Sequence, residues 1–332
     1  MMHPFASALL RWYAERGRDL PWRHTTDPYP IWLSEVILQQ TRIEQGRDYW
    51  HRFMERFPNV EMLADATEDE VLRLWQGLGY YSRARNLHAA AKQIKESGTF
   101  PNTLEGIKQL KGVGDYTAAA IASFAFGIPS AVVDGNVYRV LSRHFGISTP
   151  INSTEGKKEF ASLAQHLLPE NQASAYNQAI MDFGAIQCTP KNPQCANCPI
   201  ADSCQSLHNH TVDTLPVKLK KLTIKTRNLI FVYIRVNGEI AIHRRPSGDI
   251  WQGLWEPLLI ENEEIPPMEG TLTLVREKVK HVLTHRVLYA DFYLLETEQK
   301  PNLPSDFIWI PEEEIDHYAL PRLVEILVES LH

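Results

Sequence analysis

The chain of 332 residues is longer than a typical single domain, so two or three domains are expected. Its 34 Lys and Arg residues against 40 Asp and Glu residues give a net charge of −6, which argues against a nonspecific polycation. The first 220 residues hold 22 of each sign, so the acidic excess, 18 against 12, lies in the C-terminal part. A nucleic-acid partner would therefore be bound by local patches and backbone amides.

Residues 5–187 carry a helical pattern. Apolar side chains recur at three- and four-residue spacing, as in Leu87, Ala91 and Ile94, and Pro and Gly interrupt the pattern at the joints. We expect an all-α N-terminal region.

Residues 110–121 place Gly112 and Gly114 in a tight turn that opens a helix. Glycine permits positive φ and close approach, and the free amides of a helix start bind anions. The pattern is typical of a helix-hairpin-helix that holds a DNA phosphate without reading a base. An ordinary turn between two helices is the alternative. Lys111, which precedes the turn, is interpreted as a phosphate contact.

All four cysteines lie within residues 188–204, as Cys188, Cys195, Cys198 and Cys204, with the spacing C-x6-C-x2-C-x5-C. The sequence has no secretory signal and no apolar run of about 20 residues, so we expect a cytoplasmic chain whose thiols stay reduced. Four thiolates in one loop match the ligands of a four-iron, four-sulfur (4Fe-4S) cluster. A structural zinc and, less favoured, disulfides are the alternatives.

Residues 205–224 are polar and are interpreted as an interdomain linker. Beyond them the pattern changes to short β-rich runs, with Asn237-Gly238 as a hairpin signal. The predicted elements are strands over 229–236, 239–243, 288–295 and 307–310 and a helix over 321–331. We therefore expect an α+β second domain over residues 225–332.

Three motifs follow one another in an order that resembles the endonuclease III superfamily of DNA glycosylases: the glycine turn, then residues 133–137, then the cysteine loop. Within that superfamily, residues 32–41 and 77–87 are similar to the adenine DNA glycosylases, over nearly the whole of 5–204. The resemblance implies a glycosylase domain over 1–204 that acts on double-stranded DNA in base excision repair. It would remove adenine mispaired with 8-oxoguanine or guanine and leave an abasic site.

Two carboxylates fit that chemistry. Purine loss passes through an oxocarbenium-like sugar, so an acid must protonate the departing base while an anion stabilises the sugar. The resemblance implies that Glu35 is the general acid, kept protonated by burial, and that Asp134 is the anion, held ionised as a helix N-cap. Without the flanking motifs, a solvated helix carboxylate and a plain N-cap would be the simpler interpretations.

The residue two positions after Gly114 distinguishes two reaction types in this superfamily. Bifunctional members of the superfamily carry a lysine there that attacks the sugar, whereas this chain has Tyr116, which cannot form a Schiff base. The resemblance therefore implies a monofunctional enzyme that hydrolyses the N-glycosidic bond with water. Tyr116 and Asn136 would support Asp134 and the reacting sugar.

The target base must leave the duplex before an acid can reach it. Gln40 and Tyr80 lie at family positions that enter the base stack, with Leu78 as a lesser wedge, whereas Tyr81 is interpreted as a buried residue. Arg18 and Trp22 lie in a segment that resembles the family's adenine-pocket loop.

Gln178 is a further pocket candidate, because its amide can bond to an adenine edge. A plain glutamine on a helix surface is the alternative.

Residues 225–332 resemble the family's MutT-like, or Nudix-fold, domain, most clearly over 250–256. The clustered glutamates of a catalytic Nudix box are absent from the sequence, so no pyrophosphohydrolase activity is expected. The family reads 8-oxoguanine with a Phe-Ser-His triplet, and the aligned residues here are Leu283, Thr284 and His285. Thr284 keeps a hydroxyl for the lesion, whereas Leu283 lacks the aromatic face for stacking. A strand position without contact to the lesion is the alternative for Thr284 and His285.

Other functions compatible with the sequence are a thymine-mismatch glycosylase, a noncatalytic lesion-binding protein and a zinc-ribbon nucleic-acid binder. The MutT-like domain argues against the first, because those relatives lack one. We expect a monomer in the cytoplasm, associated with the nucleoid if the source is bacterial. Lys191, within the cysteine loop, is expected near a DNA phosphate.

Overall fold

The computed structural model describes residues 2–219 and 224–331. Within these ranges the chain forms two compact units, the first from residues 2–64 and 89–219 and the second from residues 65–88 and 224–331. The sequence predicted one continuous helical domain over 1–204. The structure differs because residues 65–88 pack with the second unit, as when Arg244 pairs with Glu68 at 2.8 Å.

The region from Pro4 to His208 is helical, as the periodicity predicted. A five-residue π-helix, Phe183–Gln187, follows α11. In chain order the α-helices are α1 Pro4–Arg16, α2 Pro28–Ile37, α3 Ile43–Arg56, α4 Val60–Asp65, α5 Glu68–Leu74, α6 Ser82–Ser97, α7 Leu104–Lys108, α8 Asp115–Phe126, α9 Gly135–Phe145, α10 Thr154–Leu167, α11 Ala173–Asp182 and α12 Gln205–His208.

Helix α2 is the most deeply buried element of the first unit. Asp27 caps it by accepting a hydrogen bond from the Tyr29 amide at 2.9 Å, and Pro28 supplies a preset φ at the first position. Every residue from Tyr29 to Ile37 is buried. A helix that is apolar on nearly all sides packs into a core. Glu35 is buried because it lies on this helix.

The main core of the first unit lies among α1, α8, α9, α10 and α11. Leu9, Phe160, Tyr176 and Phe183 are each 2% exposed or less, and burial of such a side chain stabilises the fold by roughly 1.5–3 kcal/mol. This packing fixes α9 against α11, so the residues at the start of α9 are held in place.

The predicted linker over 205–224 differs from the structure along residues 205–219. These residues lie against the helical unit: Arg143 donates from Nε to the Val212 carbonyl at 2.9 Å, and the Ile151 amide donates to the Val217 carbonyl at 3.0 Å. Buried backbone acceptors must be paired, and the first unit supplies the donors. Residues 220–223 lie outside the described ranges.

The second unit is built on a mixed β-sheet with the order β3-β2-β1-β6-β5, in which β4 also pairs with β1 and β7 with β2. β1 and β6 run parallel, and the other pairs are antiparallel. The elements are β1 Lys225–Val236, β2 Glu239–Arg244, β3 Trp255–Glu256, β4 Leu258–Glu261, β5 Thr271–Leu283, β6 Arg286–Glu296, β7 Phe307–Pro311 and the helix α13 Arg322–Glu329.

All four predicted strands, the hairpin at Asn237-Gly238 and the closing helix are present, so the predicted α+β class is confirmed. Asn237 and Gly238 have φ of 50° and 81°, the left-handed values that a tight hairpin turn requires. Among the described residues, no helix combines the length and apolarity needed to cross a bilayer.

Candidate active site and iron–sulfur loop

A cavity of about 560 Å³ opens into the first unit, within the size range of ligand pockets. It is lined by side chains that the sequence singled out from five separate segments. They are Arg18 and Trp22 near its edge, Glu35 on α2, Tyr116 on α8, Asp134 and Asn136 at the start of α9, and Gln178 on α11. The fold therefore brings the predicted catalytic and pocket residues to one place.

Glu35 is only 8% exposed, as expected for a residue on α2. The pKa of its carboxyl is raised from 4.5 to about 7, mainly by burial and in part by the nearby Asp134 carboxylate. A hydrogen bond from Tyr116 and the positive charge of Arg23 oppose the shift. Glu35 is thus a carboxylic acid that holds its proton close to neutral pH, in agreement with the sequence prediction.

Tyr116 lies in the first turn of α8, with its hydroxyl within hydrogen-bonding reach of the Glu35 carboxyl. The same oxygen lies 3.5 Å from the Met181 sulfur. Burial and the two carboxylates raise the pKa of Tyr116 well above its ordinary value, so it stays a neutral donor. Tyr116 can therefore stabilise Glu35 once the acid has given up its proton.

Asp134 is the N-cap of α9, as predicted. Its Oδ1 accepts the backbone amides of Asn136 and Val137 at 2.9 and 2.8 Å, and its Oδ2 accepts Nδ2 of Asn136 at 2.8 Å. Burial nevertheless raises the pKa of Asp134, and these hydrogen bonds only oppose that rise. That Asp134 is held ionised as a helix N-cap stays a prediction: its hydrogen bonds favour the charged form, and burial opposes them.

The remaining pocket residues are held by their own partners. The buried Asp182 carboxylate accepts from Nε of Arg18 at 2.9 Å and from both terminal nitrogens of Arg23 at 2.8 Å. Trp22 is 6% exposed and packs edge-on against Trp50. Sequence reasoning missed Arg23, although it directly follows the predicted Trp22.

Gln178 faces the cavity with a fixed amide. Its Oε1 accepts the Tyr13 hydroxyl at 2.8 Å, and its Nε2 donates to Ser174 Oγ at 3.2 Å. The amide group has one further N–H and one further lone pair. It can therefore present both a donor and an acceptor to a base edge.

The glycine turn joins α7 to α8. Gly112 has φ of 78°, which favours glycine, and Gly114 is the N-cap of α8 without a side-chain cap. The first amides of α8 are thus open to an anion. Lys111, in the turn, is exposed. Asp115, the first residue of α8, pairs with Lys108 at 2.8 Å.

The two residues expected to enter a base stack share one backbone feature. Gln40 in the first unit has φ of 57°, and Tyr80 in the second unit has φ of 49°; both are exposed. Non-glycine residues held in this region cost about 1–3 kcal/mol and concentrate at functional sites. Leu78 is only 8% exposed, unlike the projecting wedge that the resemblance implies, and Tyr81 is buried as predicted.

In the second unit, Thr284 and His285 form the two-residue turn between β5 and β6. The Thr284 hydroxyl contacts the Tyr80 hydroxyl, so two predicted lesion contacts from distant parts of the sequence are neighbours. Leu283 packs against the core of the sheet, so it is a structural residue here.

The four cysteines surround one pocket beside α9. Arg143, buried at 3% exposure, donates to Cys188 Sγ at 3.5 Å and to the Thr189 carbonyl at 2.7 Å. Arg139 donates from Nε to the Cys188 carbonyl at 2.7 Å and from Nη2 to Asn136 Oδ1 at 2.8 Å. One arginine therefore links the cysteine loop to the partner of Asp134.

The pocket fits a cluster better than a single ion. Four thiolates around one zinc would lie about 3.8 Å apart. Over residues 2–219 and 224–331, no three His, Cys, Asp or Glu side chains converge on one ion position. The four thiols instead enclose a pocket, which matches cysteine ligation of several iron atoms.

Family models match three parts of the chain. The HhH-GPD superfamily base excision DNA repair protein matches residues 33–169, the iron–sulfur binding domain of endonuclease III matches residues 188–204, and the NUDIX domain matches residues 229–330. The fold and the site therefore define a helix-hairpin-helix DNA glycosylase with an iron–sulfur loop, and that loop binds a 4Fe-4S cluster.

Individual relatives show which family within this class the chain resembles. An adenine DNA glycosylase of Buchnera aphidicola subsp. Baizongia pistaciae is 35% identical over 296 residues, covering 86% of this chain and 84% of that protein. An adenine DNA glycosylase of Mus musculus is 44% identical over 213 residues, covering 61% of this chain and 41% of that protein. The solved structure of a thermostable thymine-DNA glycosylase is 32% identical, with a TM-score of 0.58, and covers 62% of this chain and 95% of that chain.

The chain belongs to the adenine DNA glycosylase (MutY) family of the endonuclease III superfamily.

The raised pKa of Glu35 predicts a pH-dependent cost to folding. The folded chain keeps this proton up to about pH 7, whereas the unfolded chain loses it near pH 4.5, so stability falls as pH rises through this window. Glu35→Gln removes the cost. Between pH 5 and 8, the free energy of unfolding of Glu35→Gln relative to the unsubstituted chain should rise by about 2 kcal/mol in urea titrations. Glu159→Gln, an exposed helix carboxylate, is the matched control, and equal pH trends in both variants would refute this.

Arg143→Met should weaken cluster binding. The substitution removes donors to Cys188 Sγ and to the Thr189 carbonyl and leaves these part-buried acceptors unpaired, at up to about 1–3 kcal/mol each. We expect less iron per chain and a weaker visible absorbance of the cluster. Arg11→Met, on the exposed surface of α1, is the matched control. The expectation fails if both variants keep the same iron content.

Proposed function

We propose that this chain is a monofunctional adenine DNA glycosylase. It hydrolyses the N-glycosidic bond of adenine mispaired with 8-oxoguanine or guanine in double-stranded DNA, and it acts as a monomer. The observation that carries the proposal is the buried acid Glu35, hydrogen-bonded by Tyr116 and sharing one cavity with Asp134.

The two carboxylates have different roles in the proposed reaction. Glu35 protonates N7 of the departing adenine, because its pKa of about 7 leaves a large protonated fraction at neutral pH. Tyr116 then donates to the new carboxylate. Asp134 stabilises the positive sugar carbon as the bond breaks, and Asn136 holds the Asp134 carboxylate in place.

The reaction is limited to base removal because the site offers no amine. Among the described residues that line the cavity there is no lysine, and Tyr116 stands where bifunctional relatives carry one. Water is therefore the nucleophile. The iron–sulfur cluster organises the loop over 188–204, where Lys191 is exposed for a phosphate contact, and takes no part in bond cleavage.

Adenine enters the cavity from the duplex and is read by Gln178, with Arg18 and Trp22 around it. Gln40 enters the base stack, and its left-handed backbone supports this role. Gly112, Gly114 and Lys111 hold a phosphate through amides and charge.

The second unit reads the base opposite adenine. Tyr80 and Thr284, whose hydroxyls are in contact, provide hydrogen-bonding groups for 8-oxoguanine, with His285 beside them in the turn. The helical unit is therefore the glycosylase domain. Residues 225–332 are the lesion-recognition domain, together with the segment 65–88.

A thymine-mismatch glycosylase is the second candidate, favoured by the 32% identity to the thymine-DNA glycosylase structure. Only 62% of this chain is enough to cover 95% of that neighbour. The NUDIX domain match over residues 229–330 is an addition to that shared part, and it supports the adenine enzyme. The substrate experiment below separates the two.

Single-turnover incubation with duplexes carrying A opposite 8-oxoguanine, A opposite G and T opposite G tests the proposal. We expect strand breaks at A only after alkali treatment, because the abasic product is cleaved by alkali and not by the enzyme. Glu35→Gln should lower the rate constant about 10²–10⁴-fold, the usual contribution of general acid catalysis.

Glu159→Gln, an exposed carboxylate on α10, is the control and should keep the unsubstituted rate. Cleavage at T, breaks at A without alkali, or full activity of Glu35→Gln would each contradict a different part of the proposal: the substrate, the monofunctional mechanism or the acid.

A further inference from the structure

The loop from Asp249 to Leu254, between β2 and β3, is a conspicuous motif of the second unit to which the proposed function assigns no role. Trp251 and Gly253 adopt positive φ of 60° and 82°, so the loop has a tightly specified path. The Leu254 carbonyl accepts the Arg245 amide at 2.8 Å, and the Gly253 amide donates to the Arg245 carbonyl at 3.0 Å.

Asp249, at the start of this loop, is bound by three arginines. Its carboxylate accepts from Nη1 of Arg227 at 2.8 Å, Nη2 of Arg245 at 2.9 Å and Nη1 of Arg286 at 2.8 Å. Arg227 and Arg245 are anchored from behind, because Glu261 and the buried Glu256 pair with them. The charges of this network balance, so it is a rigid support instead of a free cationic patch.

Arg286 is the residue next to the Thr284-His285 turn. It pairs with Leu283 across the hairpin, so its side chain extends from the base of that turn. Its link to Asp249 ties the turn to the anchored network. The His285 carbonyl also accepts the Lys225 amide at 3.1 Å, which fixes the other side of the turn.

The same loop holds the segment that carries Tyr80. Arg85, in the first turns of α6, donates from Nη1 to the Gln252 carbonyl at 2.5 Å. Tyr80 precedes α6 by two residues, and its hydroxyl contacts Thr284. One loop therefore touches both segments whose tips meet at the proposed lesion-reading site.

We propose that Asp249 and Arg286 are positioning residues that hold Thr284 against Tyr80 and thereby set how strongly the enzyme distinguishes 8-oxoguanine from guanine. The inference rests on the proposed function. Both side chains of the turn are exposed, and a two-residue turn without this anchor would sample other positions. Loss of the anchor should lower the rate on A opposite 8-oxoguanine and leave the rate on A opposite G much less affected.

Arg286→Met tests the inference, because it breaks one link and leaves Asp249 its two other arginines. The measured quantity is the ratio of single-turnover rate constants for A opposite 8-oxoguanine and A opposite G at subsaturating enzyme. We expect the ratio to fall at least about fivefold. A phosphate contact by Arg286 would lower both rates together and leave the ratio unchanged.

Glu261→Gln is the matched control. It removes a carboxylate from the same network, at a side-chain exposure of 28% against 33% for Arg286, but it leaves Arg286 paired. A double substitution adds a second readout: if Arg286 acts through Thr284, then Thr284→Ala with Arg286→Met should have the same ratio as Thr284→Ala alone.

The outcomes separate the two proposals. An unchanged ratio in Arg286→Met, an equal loss in Glu261→Gln, or additive effects in the double variant would overturn the positioning role and leave the proposed function intact. An unsubstituted enzyme that does not excise adenine would overturn the proposed function and with it this inference. Equal excision from both duplexes would overturn the lesion-reading role of the second unit and this inference, and leave adenine excision intact.

Discussion

The burial of one carboxyl group on helix α2 is the constraint on which the site depends. α2 is covered along its whole length, so Glu35 is largely removed from solvent and its pKa rises to about 7. The neighbouring groups follow from this. Tyr116 supplies a neutral donor that can stabilise the anion, and Arg23 supplies a distant positive charge that prevents a larger shift. A fully apolar surround would hold the proton too tightly to give it to a base.

Asp134 and Glu35 line the same cavity but have different hydrogen-bond partners. Burial raises the pKa of both groups, and the Asp134 carboxylate also raises that of Glu35 by repulsion. Only Asp134 accepts backbone amides and the Asn136 side-chain amide, and these hydrogen bonds favour its charged form. In the proposed mechanism the pair divides into an acid and an anion because their hydrogen-bond partners differ, as in other enzymes that break glycosidic bonds.

The predicted pocket residues line one cavity, and they could be selected from the sequence because they lie in short motifs with fixed local geometry. Asp134 at an N-cap, the glycines before α8 and the cysteine loop each specify a backbone shape from a few residues. What the sequence missed depends on contacts between distant segments. The grouping of residues 65–88 with the second unit, the burial of Leu78 and the path of residues 205–219 all rest on tertiary partners. The edge strand β5 was also missed, because its largely exposed residues give no burial pattern to detect.

The most direct test of this account is a pH titration of the Glu35 carboxyl itself, by ¹³C NMR of the protein labelled at glutamate side chains. The signal that disappears in Glu35→Gln identifies the residue. The account predicts that this carboxyl titrates at about pH 7, well above the ordinary value of 4.5. A titration near 4.5 would mean that Glu35 is already ionised at neutral pH, and it would contradict the assignment of Glu35 as the proton donor.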